Sequence, residues 1–424
     1  MSRGLKILKE QGLKSFLKYR GKKFKNSFAA NLDKHFGKFY PKLPQNYNFI
    51  LFAYGVSGHL ALLNFLKLCG LNEICAIRIC AIRSGTIMSY SEIKNKLINS
   101  TGKNFLTIAF YRPTKKFKLA NLFYDVPIII TLRDPISRLK SAVNHGWLSY
   151  NNFTGEVEFD LKTNPNEALG TVSYDTETKE LATTPQISCT KKIVNELMDF
   201  KYASNLTPFL IEGGGGGNSR QVIYIDVEDL KADKAFDTMQ KLSKILHFNP
   251  PKEEDRAKFE CKAWDNYRIF LPFIVFIDHK DFPQLKEKIT IVVTKEQELQ
   301  ADLKDARNLF LNENDLCYKH IWIGIEQKHY ELIKKDEDIK ERLKSYFKEF
   351  VKALDEKASF RKQHALNEND VLEYFKNNAA LALKLKALLD RELAHIKQTR
   401  PNIIEKWKYY AEFEKICEEF ARIV

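Results

Sequence analysis

The sequence predicts an α/β fold, a three-layer arrangement of a parallel sheet with flanking helices, followed by a helical C-terminal region. Three observations predict it. Short apolar runs alternate with helical stretches up to about residue 250, and a glycine turn separates the first run from the first helix. From about residue 290 the composition shifts to long charged helices. Strands that alternate with helices build parallel sheets joined by crossover connections.

In chain order, Pro41 and Pro44 mark a break, after which Tyr47–Ala53 reads as a strand. Tyr54-Gly-Val-Ser-Gly58 reads as a turn and His59–Cys69 as a helix stopped by Gly70. The next apolar stretch carries an echo, Cys75-Ala-Ile-Arg-Ile followed by Cys80-Ala-Ile-Arg-Ser, whose period suits no repeat architecture. Strand signals recur at Phe105–Phe110, Pro127–Leu132 and Gln221–Asp226, with helices at Ile136–Leu148 and Lys234–Leu246. Glu212–Asn218, with its run of glycines, reads as a surface connection. Lys335–Leu354, Asp370–Gln398 and Pro401–Ile423 have helical spacing, and Pro401 suits a helix start. The expected organisation is a basic arm over 1–45, an α/β domain over 46–285 and a helical region over 286–424.

Hydrophobic residues at 44% with 12% aromatics exclude a disordered chain. No stretch approaches the roughly 20 apolar residues of a membrane span. The net charge of +14 is uneven: residues 1–42 hold twelve Lys or Arg against Glu10 and Asp33. That arm lacks the apolar core and cleavage site of a secretory signal. Leu5, Leu8, Leu13, Phe16 and Leu17 could line one helical face, giving either a solvated cap or a peripheral contact with an anionic membrane. No aromatic-rich basic motif accompanies the charge, so no nucleic-acid partner is expected. Seven cysteines, odd in number and free of Cys-x-x-Cys, read as buried thiols in a reducing compartment. The expected location is cytoplasmic, with the inner face of the membrane as the alternative.

Two segments carry chemistry. Gly55-Val56-Ser57-Gly58 lies between a strand and a helix, where backbone amides at a helix start attract phosphate, with the Ser57 hydroxyl as a further donor. No Gly-Lys-Ser/Thr follows, so this is not a Walker motif. The second segment is Arg133-Asp-Pro-Ile-Ser-Arg138-Leu-Lys-Ser141, after the apolar strand ending at Leu132. Arginine offers a planar fork to a phosphate dianion, and a hydroxyl eight residues on completes its shell. An ordinary ion pair and helix start are the bland alternative for the same residues.

Arg-Asp-Pro-x-x-Arg-x-x-Ser after an apolar strand resembles the 3′-phosphate motif of sulfotransferases, which implies a sulfotransferase-like P-loop fold. The resemblance places Arg133 and Ser141 on the 3′-phosphate of a nucleotide donor, and Gly55–Gly58 at the 5′-phosphosulfate loop. It extends to Tyr224-Ile-Asp-Val-Glu-Asp229-Leu230, and so covers about residues 47–250. Two departures stand out: Val56 occupies the loop lysine position, and Tyr111 in Phe110-Tyr-Arg112-Pro113 occupies the place of the family's catalytic His. Arg112 beside it could lower the Tyr111 pKa or stabilise a leaving phosphate. The whole chain is also similar to a capsule-associated bacterial family, labelled uncharacterised or sugar transferases, that includes O-methyl phosphoramidate transferases. The pointers are the Arg133–Ser141 segment, Pro250–Asp255 and Trp407–Glu414.

These resemblances imply a transferase moving a methyl phosphoramidyl or similar group from a 3′-phosphonucleotide donor, cytidine type favoured, to a hydroxyl of a capsular or surface sugar. The missing lysine suits a terminal group that carries no charge. His59, His145 and Tyr111 are the candidate bases. No prosthetic group is expected, and no His-Glu-x-x-His spacing suggests a metal. The rivals are a sulfotransferase with the adenosine donor, a glycosyltransferase, and a non-catalytic, membrane-apposed assembly protein. The glycosyltransferase would want an Asp-x-Asp metal motif or another sugar-nucleotide site, and no Asp-x-Asp is expected here.

Overall fold

The computed structural model describes residues 41–77, 90–110, 122–149, 158–178, 180–196, 200–211, 220–260, 265–295, 302–315 and 317–423. Residues 1–40 of the basic arm, the glycine run, Tyr111 and Arg112 lie outside the described residues. By contacts the chain divides into two compact units. Unit 1 takes Met1–Arg138, Ile193–Cys261 and Phe375–Val424; unit 2 takes Leu139–Lys192 and Lys262–Tyr374. Both are discontinuous in sequence, so position 285/286 falls inside unit 2.

Unit 1 is built on five parallel strands: β1 (Ile50–Tyr54), β2 (Asn72–Ile77), β3 (Asn104–Phe110), β4 (Ile128–Leu132) and β5 (Val222–Asp226). Their spatial order is β2-β3-β1-β4-β5. Every residue of β1 and of β4 is buried, as expected where helices cover both faces of a parallel sheet. Leu51, Ile129, Ile223 and Ile225 pack on one face with Leu62 and Leu66 of α1 (His59–Leu68). On the other face Phe52 and Tyr54 meet Phe209 and Tyr202, edge to face at 4.9 and 4.7 Å.

α2 (Pro135–Val143) follows β4, and Tyr202 and Phe209 belong to α3 (Tyr202–Ile211). α4 (Ala235–Leu246) joins the α1 face through Phe236 and Met239. The C-terminal segment adds α5 (Ala379–Glu392) and α6 (Lys408–Ile423). α2 ends five residues before the expected Leu148. A Cβ on Gly146 would lie 2.5 Å from Val172 Cγ1, so the chain there runs too close to a neighbouring strand for any side chain.

Unit 2 holds a five-stranded sheet in the order Leu303–Asp305, Trp322–Glu326, Ile289–Thr294, Phe273–Ile277, Glu158–Phe159. Its ladders are antiparallel except the last. Phe347 and Phe350 of the helix Glu337–Gln363 cover it, the Phe350 ring lying tilted 4.6 Å from that of Phe273. The region from about 290 therefore begins with strands, and its long helices start at Gln327. Ile289-Thr-Ile-Val-Val-Thr294 is β-branched throughout and buries mainly alternate residues, which is strand chemistry. Among the described residues no helix is long and apolar enough to cross a membrane.

Candidate functional site at the carboxyl edge of the parallel sheet

The chain leaves β1 toward β2 on one side and leaves β4 toward β5 on the other. The β1/β4 pair is thus the topological switch point, where open α/β sheets form a crevice at their carboxyl ends. Both segments singled out in the sequence fall there. Gly55–Gly58 follows β1, and Arg133 follows β4. They meet directly: Arg133 Nη1 donates to the Val56 carbonyl at 3.2 Å, across 77 residues of sequence.

The turn is shaped for amide donation. Gly58 is the N-cap of α1 with φ 84° and has no side chain to cap the helix. A Cβ on Gly58 would lie 2.6 Å from Val227 Cγ2, so only glycine fits. Val56 also lies in the left-handed region, with φ 51°. For a β-branched residue that costs about 1–3 kcal/mol. Among the described residues no acceptor meets the amides of Val56, Ser57 or Gly58. Uncapped amides at the start of a ten-residue helix are a ready anion site.

The Ser57 hydroxyl is not among those donors. Ser57 is fully buried; its Oγ donates to the Tyr54 carbonyl at 2.9 Å and pairs with Thr131 Oγ1 at 2.8 Å. It therefore ties the turn to β4. His59, at the first position of α1, is 5% exposed. Burial lowers its pKa to about 4; a bond to the Tyr54 backbone opposes this and the charge of Arg138 adds to it. His59 is thus a neutral, weakly basic imidazole at neutral pH, and weak bases transfer protons poorly there.

Arg138 is the third side chain at the turn, and its role is not legible from spacing. It is 1% exposed. Nε donates to the Gly55 carbonyl at 3.0 Å and Nη1 to the Tyr202 hydroxyl at 2.7 Å. Its guanidinium lies over the rings of Phe200, Tyr202 and Tyr54 at 4.8, 5.5 and 5.6 Å. A weakly hydrated, planar cation is the one that tolerates such a site. Ser141 sits half-buried on α2 and is assigned by contacts to unit 2, as is the exposed His145.

Two aspartates at the strand ends bind the C-terminal helix. Asp134 Oδ1 accepts from the Ile136 and Ser137 amides at 2.8 and 3.2 Å and so caps α2. Its Oδ2 accepts from the Tyr409 and Tyr410 amides, both at 3.0 Å, in the first turn of α6. One carboxylate thereby caps two helices. Burial raises its pKa, and the four amides oppose that rise. Asp226 accepts from the Trp407 indole at 2.8 Å through Oδ2 and from the Glu228 amide at 3.0 Å through Oδ1. The Trp407–Glu414 segment thus has a mechanical meaning that its sequence alone lacks.

The chain has one Asp-x-Asp, Asp336-Glu337-Asp338. Asp336 caps the helix Glu337–Gln363 by accepting from the Ile339 amide at 3.2 Å, and also accepts from Gln284 Nε2 at 3.0 Å. It serves as a helix start. Among the described residues no three or more His, Cys, Asp or Glu side chains gather as a metal-holding group.

A family model described as a protein of unknown function (DUF2972) matches residues 224–420, from within β5 to the last turns of α6. The match contains Asp226 and Trp407 and begins after Gly55–Gly58 and Arg133. No curated protein and no solved structure matches the chain.

Proposed function

We propose that the chain is a group transferase that binds a 3′-phosphonucleotide donor at the carboxyl edge of β1 and β4. The transferred group is a methyl phosphoramidyl or similar group, and the acceptor is a hydroxyl of a capsular or surface polysaccharide sugar. The observation that carries this reading is the Arg133–Val56 contact. It brings an arginine fork and an uncapped helix start together at the switch point of a parallel sheet. The two would take different phosphates of one donor, the amides a 5′-phosphate and Arg133 the 3′-phosphate. The strand order 2-3-1-4-5, with the turn after the central strand, agrees with a sulfotransferase-like P-loop fold.

In the step itself the sugar oxygen bonds to the terminal phosphorus as the bridging phosphorus–oxygen bond breaks. The nucleotide leaves with that electron pair and the hydroxyl proton passes to a base. His59, buried and weakly basic, supports the turn instead. Val56 favours the phosphoramidyl group over a sulfuryl group, since the turn supplies amides but no ammonium to balance a charged terminal group.

The test is a thermal-shift series with cytidine and adenosine 3′,5′-bisphosphates against the matching 5′-diphosphates. Ligand at about a hundred times Kd stabilises the folded state by about 2.7 kcal/mol. The 3′,5′-bisphosphates are expected to raise Tm, cytidine more than adenosine, with the shift lost in Arg133→Ala. Equal shifts with and without the 3′-phosphate would refute the reading. A preference for adenosine would favour the sulfotransferase.

A further inference from the structure

We propose that Arg138 is a positioning residue that sets the polarity of the anion-binding turn from beneath, without touching the ligand. The proposal rests on the reading of Gly55–Gly58 as a phosphate turn. Its starting point is that the two arginines of the Arg133–Ser141 segment take successive carbonyls. Arg138 Nε holds Gly55 O at 3.0 Å, and Arg133 Nη1 holds Val56 O at 3.2 Å. Neither peptide is cis.

In a trans peptide the carbonyl and the next N–H point in opposite directions. Fixing Gly55 O therefore aims the Val56 N–H away from Arg138, and fixing Val56 O aims the Ser57 N–H away from Arg133. Successive amides turned out together form an anion-binding concavity. This arrangement also accounts for the strain. Val56 stands at φ 51°, which a β-branched residue leaves unless something holds it. Arg138 suits that task because it is itself immobile, buried to 1% exposure and stacked among three rings. The Tyr202 hydroxyl fixes its other end.

The test compares wild type, Arg138→Met, Tyr202→Phe and Arg138→Met combined with Val56→Gly. Glycine adopts positive φ without strain, so Val56→Gly restores the turn only if Arg138 acts by holding it. One readout is amide hydrogen exchange in the unliganded protein at Ala61 and Leu62, whose N–H groups bond to the Gly58 carbonyl at the end of the turn. The other is affinity for cytidine and adenosine 3′,5′-bisphosphates by calorimetry. Arg138→Met is expected to speed exchange selectively at these amides and to weaken binding about 10-fold or more, the loss of one charge-assisted hydrogen bond. Adding Val56→Gly is expected to recover a large part of both.

If Arg138→Met does not fold, Tyr202→Phe carries the test, with faster exchange at the same amides and a smaller affinity loss. Exchange at Ala61 and Leu62 that stays at the wild-type rate in the folded variants overturns the proposal. So does an exchange increase spread over all of unit 1 that Val56→Gly does not reverse. If wild type binds neither bisphosphate, the transferase reading falls, while the exchange readout still decides what Arg138 does to the turn.

Discussion

Replacing Asp134 by asparagine isolates the double cap at the end of β4. The carboxylate accepts four backbone amides, two from α2 through Oδ1 and two from α6 through Oδ2. Asparagine has one acceptor oxygen and one NH2 group. Whichever way its amide turns, two backbone donors face another donor. Each buried donor left unsatisfied costs about 1–3 kcal/mol. Burial raises the Asp134 pKa, so the variant is spared part of the cost of burying a charge. The net loss is then about 2–3 kcal/mol, most of it at whichever helix meets the NH2 group. Urea unfolding followed by far-ultraviolet circular dichroism gives the total, and hydrogen exchange over 136–140 and 409–413 locates it. A loss below about 1 kcal/mol, or exchange unchanged in both helices, would refute the double-cap account.

Two further outcomes follow from the turn. Because burial lowers the folded His59 pKa to about 4, the unfolded chain gains a proton near its ordinary 6.5 that the folded state refuses. Stability should therefore fall as pH drops from 6.5 toward 4, by about 2 kcal/mol at pH 5, and His59→Gln should flatten that slope in urea titrations across pH 4.5–7.5; parallel slopes would count against it. Gly58→Ala should lower stability by about 2 kcal/mol or more, because it adds both a positive-φ penalty and a contact at 2.6 Å with Val227, and calorimetric Tm values check this.

The sheet of unit 1 was legible where burial is complete. The β4 run is apolar but for Thr131 and bounded by Pro127 and Arg133, and β1 ends on a glycine turn. β2 was obscured by its Cys-Ala-Ile-Arg echo and carries a register shift between Cys75 and Ile77. The sheet of unit 2 was missed because its strands stand among charged segments and pair across long gaps, as Ile274 does with Glu158. At the candidate site, residue types and spacing pointed to Arg133 and the turn. They could not reveal that the Ser57 hydroxyl faces inward, since its partner Thr131 lies 74 residues away. Arg138 was hidden for the same reason, its partners Gly55 and Tyr202 being 83 and 64 residues distant.

The bond between Asp134 and the start of α6 spans 275 residues, and that between Asp226 and Trp407 spans 181. During synthesis all five strands of the parallel sheet leave the ribosome long before Trp407 does. Until then two buried-to-be carboxylates at the strand ends wait in water, and β4 and β5 finish without their clamp. Non-local closure of this kind is slow, because the entropy of a long loop is lost before the contact forms. A nascent chain stopped before residue 407 would hold the glycine turn and both arginines in sequence yet lack what pins the neighbouring strand ends. The crevice would then take its final form only late in the life of the nascent chain.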